Sequence, residues 1–115
     1  MNNLKTQLLA PERDAYPVTI LGADVFIRRL TSYEIEEYDE KQSQLRTDKN
    51  LTGMALSTAS FILSAIVSEE GIPVPATDLP APDELLKARS NASLIEALQT
   101  IQRHSWGTLE DAKKN

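Results

Sequence analysis

Between positions 30 and 40 the chain reads LTSYEIEEYDE, and four of these residues fix a helix start from independent directions. Thr31 suits the N-cap, where its hydroxyl accepts from the N3 backbone N–H. Glu34 stands at N3 and reaches back to the N-cap N–H, completing a capping box. Leu30 and Ile35 occupy N′ and N4, the two positions of a hydrophobic staple. The helix therefore cannot extend backward past Thr31, and the apolar run before it must fold as something else. Ile35, Tyr38 and Leu45 fall on one face, the inward one. Glu34, Glu36, Glu37, Asp39 and Glu40 crowd the first turns, where the helix dipole favours negative charge. A solvated helix start accounts for these acids; a docking strip for a basic partner, centred on Glu36, Glu37 and Glu40, is the sharper reading.

The preceding run, YPVTILGADVFIRRL, has the pattern of a β-hairpin. A strand from Tyr16 to Leu21 meets a two-residue turn at Gly22 and Ala23, with Gly at the first central position of a type II′ turn. That register sets Ile20 opposite Val25 and Val18 opposite Ile27, all on one face of the ribbon. A lone hairpin is marginal in water, so this face must lie on helices. Upstream, LKTQLLAP forms a helical turn or two before Pro11.

A second helix is expected from Leu51 to Val67, closed by Gly71 at C′. Leu56, Ala59, Leu63, Ile66 and Val67 mark an apolar face, which Ala55, Ile62 and Ala65 widen. Gly53, Ser57, Ser60, Ser64 and Ser68 make a separate line of small residues. A helix so broadly apolar is central to the core or shared with another subunit. Next, IPVPATDLPAP excludes regular helix and central strand and reads as a rigid connector; Pro73, Pro75, Pro80 and Pro82 lack the basic flanks of a groove-binding ligand. Pro82 suits N1 of a short helix, PDELLKAR, with Leu85 and Leu86 inward. A last helix runs from Asn91 or Ala92 to Ser105, with Leu94, Ile95, Leu98 and Ile101 on one face and Trp106 sealing that end of the core. The expected fold class is α+β and mostly α-helical, an N-terminal β-hairpin packed on a small bundle of about four helices. At 115 residues, one domain spans positions 1–115, with a flexible end at 108–115.

Composition removes several classes of function. There is no cysteine, hence no disulfide, thiolate zinc site or cysteine nucleophile, which mildly favours an intracellular setting. The N-terminus lacks the basic-then-apolar order of a secretory signal, and ALSTASFILSAIV is too short and too rich in Ser and Thr to span a bilayer. A net charge of −5, with basic pairs only at Arg28–Arg29 and Lys113–Lys114, argues against nucleic acid. The single histidine, His104, sits near a helix C-terminus with no nucleophile or orienting group at useful spacing. No metal-ligand cluster and no phosphate-cradling glycine loop occurs. Catalytic residues, metals and cofactors are none, the chain is not an enzyme, and binding is what remains.

The order of parts resembles the tail assembly chaperones of long-tailed bacteriophages and their prophages. The resemblance rests on LLAP, on VTILGADVFIRRLT, on LTSYEIEEYDE, on IVSEEGIPV and on the terminal WGTLEDAKKN, and it covers most of the chain. It implies a protein of the host bacterial cytoplasm that binds the tape measure protein, keeps it soluble, and promotes polymerisation of the major tail (tube) protein around it. Such chaperones are absent from the mature virion. The family implies, too, a frameshifted longer form of the chain as a partner. Lys113, Lys114 and Asn115 are encodable as AAA AAA AAC, a run that permits a frameshift; a Lys-rich disordered end is the ordinary alternative. On physical grounds the client contacts are expected at Leu56, Ala59, Ile62, Leu63 and Ile66 and on the hairpin face, with Glu36, Glu37 and Glu40 steering basic stretches. A homo-oligomer is possible; nucleic acid and membrane are not expected partners. A small acidic adaptor or antitoxin, or a minor structural subunit of a tail, shares the same composition.

Overall fold

The computed structural model describes residues 3–11 and 14–106. In chain order these form α1 (Leu4–Leu8), β1 (Tyr16–Ile20), β2 (Ala23–Ile27), α2 (Ser32–Thr47), α3 (Leu51–Ser64), β3 (Ile66–Val67), a 3-10 turn (Ala76–Asp78), α4 (Pro82–Ala88) and α5 (Asn91–Trp106). The chain is mostly helical, with a small antiparallel sheet of order β1-β2-β3 packed on the helices. The expected fold class holds. The expected C-terminal segment 108–115 lies outside the described residues.

The helix starts form as the local chemistry requires. Thr31 Oγ1 accepts from Glu34 N at 3.1 Å, and Glu34 Oε1 accepts from Thr31 N at 2.9 Å, so the capping box is closed. Leu30 and Ile35 are both buried beside it. Asn50 Oδ1 caps α3 through Gly53 N at 2.8 Å, and Ser90 Oγ caps α5 through Ser93 N at 3.1 Å. At α4, Pro82 takes the first helical position and Glu84 Oε1 accepts from Ala81 N at 2.8 Å.

The hairpin departs from its expected register. Its pairs are Tyr16↔Ile27, Val18↔Val25 and Ile20↔Ala23, with Leu21 and Gly22 as the turn. Both turn residues have positive φ, +53° and +75°, which is a type I′ turn in place of type II′. Moving the turn by one residue moves each cross-strand partner by two, and because side chains alternate with period two, the inward face is unchanged. Leu21 accepts a left-handed backbone and in return packs its side chain against the core. The guanidinium of Arg89 covers the turn, only 3.3 Å from where a Cβ on Gly22 would stand.

The helix expected to reach Val67 stops at Ser64. Ile66 and Val67 instead pair with Ile27 and Phe26, adding a third strand, and Arg28 N donates to Ala65 O at 2.9 Å across the junction. Gly71 is consequently no helix cap. It keeps a φ of +79° in the turn that follows β3, where its N–H donates to Ser68 O at 2.9 Å.

Three side chains excluded from solvent define the centre of the core: Ile27 of β2, Ile62 of α3 and Ile101 of α5. α3 is the hub, packed by α2, α4 and α5. On α5 the inward set is Leu94, Ala97 and Ile101, with Leu98 half-buried. Ile95 lies about 100° round the helix from Leu94, and it is 44% exposed. Trp106 does not seal the core: it lies about 140° round from Ile101, and it is 53% exposed.

Candidate functional site

The five apolar residues expected to meet a client have different fates. Ala59 and Ile62 have no solvent exposure and Leu63 is buried with them, because the wide face of α3 is the surface on which the rest of the fold packs. Leu56 is half-exposed; Ile66 sits half-exposed on β3, against the core. Ser57, from the line of small residues, is buried as well, while Ser60 and Ser64 face solvent. Glu36, Glu37 and Glu40 are exposed on α2, and among the described residues none of them has an ion-pair partner. The structure therefore keeps the acids accessible and separates them from most of the apolar set.

Glu34 behaves differently from its acidic neighbours. Arg28 clasps it through two hydrogen bonds, Nη1 to Oε1 at 2.9 Å and Nη2 to Oε2 at 2.8 Å. The Arg28 hydrogen bond is the main cause that holds the Glu34 carboxyl down at about 2; partial burial opposes it, and the Thr31 N–H adds to it. Arg28 also donates from Nε to Ser64 O at 3.2 Å. One side chain thus ties the end of β2 to the start of α2 and the end of α3. No local pattern in the sequence marks Arg28 for this, since Ser64 lies far along the chain.

A second polar cluster joins α2 to α3. Tyr38 Oη and Thr58 Oγ1 are 2.8 Å apart, and Gln42 Nε2 donates to both, at 3.0 and 3.1 Å. Tyr38 also stacks on Phe61, with ring centroids 4.2 Å apart. The two hydroxyls and the Gln42 amide nitrogen satisfy one another inside a helix pair, while the buried Gln42 Oε1 has no hydrogen-bond partner among the described residues; the arrangement fixes packing and has no nucleophile.

Nothing among the described residues suits chemistry. No group of histidines and carboxylates is placed to hold a metal ion. His104 is half-buried with its ring 5.3 Å from that of Tyr16, over which Arg29 also lies at 5.0 Å. A shallow open depression on the hairpin, lined by Pro17, Val18, Thr19, Asp24, Val25 and Phe26, contains one carboxylate, and Asp24 already accepts from Thr19 Oγ1 at 2.6 Å. No described helix is long and apolar enough to cross a membrane.

Exposed apolar side chains are more informative. Leu4, Leu8 and Leu9 are 68–74% exposed, α1 buries no residue, and it packs extensively on no other element. Tyr33 and Trp106 are exposed too. Contacts between distant segments bring the start of α2, which carries Tyr33, beside the end of α5, which carries Trp106. Leu30 N donates to Ser105 Oγ at 3.0 Å, which sets the start of α2 beside the end of α5; the Tyr16–His104 ring contact sets the start of β1 there too. Sequence periodicity marks the apolar residues themselves but gives no indication that the start of α2 and the end of α5 meet.

Residues 3–115 match the family model described as phage tail assembly chaperone protein, TAC. No curated protein and no solved structure matches the chain. The family is non-enzymatic, in keeping with a surface that offers acids and apolar side chains and no reactive constellation. Over nearly its whole length, this chain belongs to the phage tail assembly chaperone family.

Proposed function

We propose that this protein binds the tape measure protein in the host bacterial cytoplasm, keeps it soluble, promotes polymerisation of the major tail protein around it, and leaves before the particle is complete. The observation that supports this reading is membership of the tail assembly chaperone family across residues 3–115. A long helical client with apolar stripes aggregates when unassembled, and a small partner that covers those stripes reversibly keeps it in solution. Glu36, Glu37 and Glu40 belong to the proposed contact set as steering charges for basic stretches. Leu56 and Ile66 are half-accessible in the closed fold; Ala59, Ile62 and Leu63 join the set only when α3 parts from its packing partners. A longer frameshifted form, arising at Lys113, Lys114 and Asn115, belongs to the same reading; codons AAG AAG AAT in the gene would dismiss it.

Co-expression provides the test. The tape measure protein encoded near this chain should stay in the soluble fraction when the two are made together and precipitate when made alone, and purified particles should contain none of this chain by mass spectrometry. A tape measure protein equally soluble without it, or a stoichiometric complement in mature particles, would overturn the proposal. The second outcome would favour a minor structural subunit of the tail.

A further inference from the structure

The outer part of the α2–α3 helix pair contributes no buried residue to the core. From Asp39 to Leu56 every residue is exposed or half-exposed, a stretch that spans the second half of α2, the connection and the start of α3. The buried residues of α2, Ile35 and Tyr38, precede it, and those of α3 begin at Ser57. Leu45, Met54 and Leu56 are half-exposed and stand outside the apolar cluster of the core, and Leu51 is 76% exposed. At the root of this tip the two helices are joined by polar groups: Gln42 Nε2 donates to Tyr38 Oη and Thr58 Oγ1, and the amide's buried Oε1 is left without a partner. An unpaired buried carbonyl oxygen regains water when the seam opens, which returns part of the cost of opening. The turn is strained as well. Lys49 holds φ at +57°, the left-handed position after a helix that glycine occupies without penalty. The first half of α2, by contrast, is anchored by Ile35, by the Tyr38–Phe61 stack and by the Arg28 clasp on Glu34 and Ser64.

We infer that the tip, from Gln42 to Leu56, unfolds locally as a unit while the sheet, the first half of α2 and the packed part of α3 stay closed. Segments with few buried apolar contacts open at free energies well below that of the whole fold, and short helical pieces without packing do not hold in water. The boundary falls where burial begins on both helices. Opening releases Leu45, Met54 and Leu56 without disturbing Ile27, Ile62 or Ile101, the centre of the core. In the chaperone reading, on which this use of the tip rests, a client meets apolar side chains that are withdrawn again when the tip refolds.

Native-state hydrogen exchange in low urea, read by NMR on the full-length protein, tests the opening. The Asn50 amide, which donates to Leu45 O at 2.9 Å, and the Met54 amide, which donates to Asn50 O at 3.0 Å, report on the tip. The Ile62 and Ala97 amides report on the core. The two tip amides should share one protection factor, roughly a hundred-fold or more below that of the core, and one urea dependence, smaller than the core's. Ile101→Val should speed core exchange about three- to ten-fold and leave the tip unchanged. Lys49→Gly should slow tip exchange about five-fold. Tip amides that exchange as slowly as the core, that accelerate with Ile101→Val, or that do not slow in Lys49→Gly would overturn the inference. Exchange of the tip without any urea dependence would overturn it too, since helix ends that fray singly behave so. Lys49→Gly also lowers the population of the open tip, and the soluble yield of co-expressed tape measure protein should fall with it. An undiminished yield would refute the use of the tip by a client. A tape measure protein that the wild type itself leaves insoluble would count against the chaperone reading and leave the exchange result standing.

Discussion

Ile62→Ala is the perturbation whose size follows most directly from the packing. Ile62 has no exposed surface and lies on α3, the helix on which α2, α4 and α5 converge. Truncation removes three carbon groups at about 0.8 kcal/mol each and leaves a cavity that a helix packed on several sides cannot collapse, so the expected loss is about 3–4 kcal/mol. For a domain of this size that lowers the melting temperature by about 15–25 °C. Ile95→Ala removes the same atoms from a site 44% exposed, and should cost below about 1 kcal/mol. Urea unfolding followed by far-UV circular dichroism measures both. Equal losses in the two variants, or a loss under about 1 kcal/mol for Ile62→Ala, would refute the assignment of this α3 face to the core. The same burial makes Ile62→Asp unsuitable as a probe of client contact, since an unpaired carboxylate at that position unfolds the protein.

Glu34→Gln retains the capping geometry but loses the charge that Arg28 grips, and should cost about 1–2 kcal/mol at neutral pH, reduced because the pair is partly in solvent. The folded Glu34 carboxyl lies at about 2, below its ordinary 4.5, so its stabilisation is full above that ordinary value and disappears as pH falls toward 2. Urea midpoints of wild type and Glu34→Gln should therefore converge in acid; a gap that is constant with pH would refute the ion pair. Gly22→Ala places a Cβ at a φ of +75° and against Arg89, and should cost about 1–2 kcal/mol by thermal melting, whereas an unchanged melt would refute the type I′ turn. Pro17 sits on β1, one of the two edge strands of the sheet, where its missing N–H removes one donor from the free edge. Pro17→Val should raise light scattering on concentration without lowering stability, and a variant whose scattering matches that of the wild type would refute the protective role.

Elements whose causes lie within a few residues are legible from local sequence. Thr31, Glu34, Leu30 and Ile35 start α2 through contacts spanning one helical turn, and Pro82 with Glu84 starts α4 in the same way. The inward face of the hairpin was legible for a related reason: period-two alternation survives a shift of the turn, so Val18, Ile20, Val25 and Ile27 face inward in either register. Glu36, Glu37 and Glu40 were legible as exposed because charge has no reason to be buried there.

Tertiary structure alone decided what each apolar face meets. Ile66 and Val67 continue the helical pattern of α3, yet they become a strand because β2 offers them hydrogen bonds that only exist once the hairpin is docked. Ala59 and Ile62 look like client contacts in isolation and become core because α2, α4 and α5 all pack on α3. Trp106 looks like a plug and is left in solvent, since the inward arc of α5 is already filled by Leu94, Ala97 and Ile101. Capping and alternation are settled within a turn or a strand. The division of apolar surface into core and solvent-exposed face depends on residues far apart in sequence, such as Leu30 and Ser105, meeting in space.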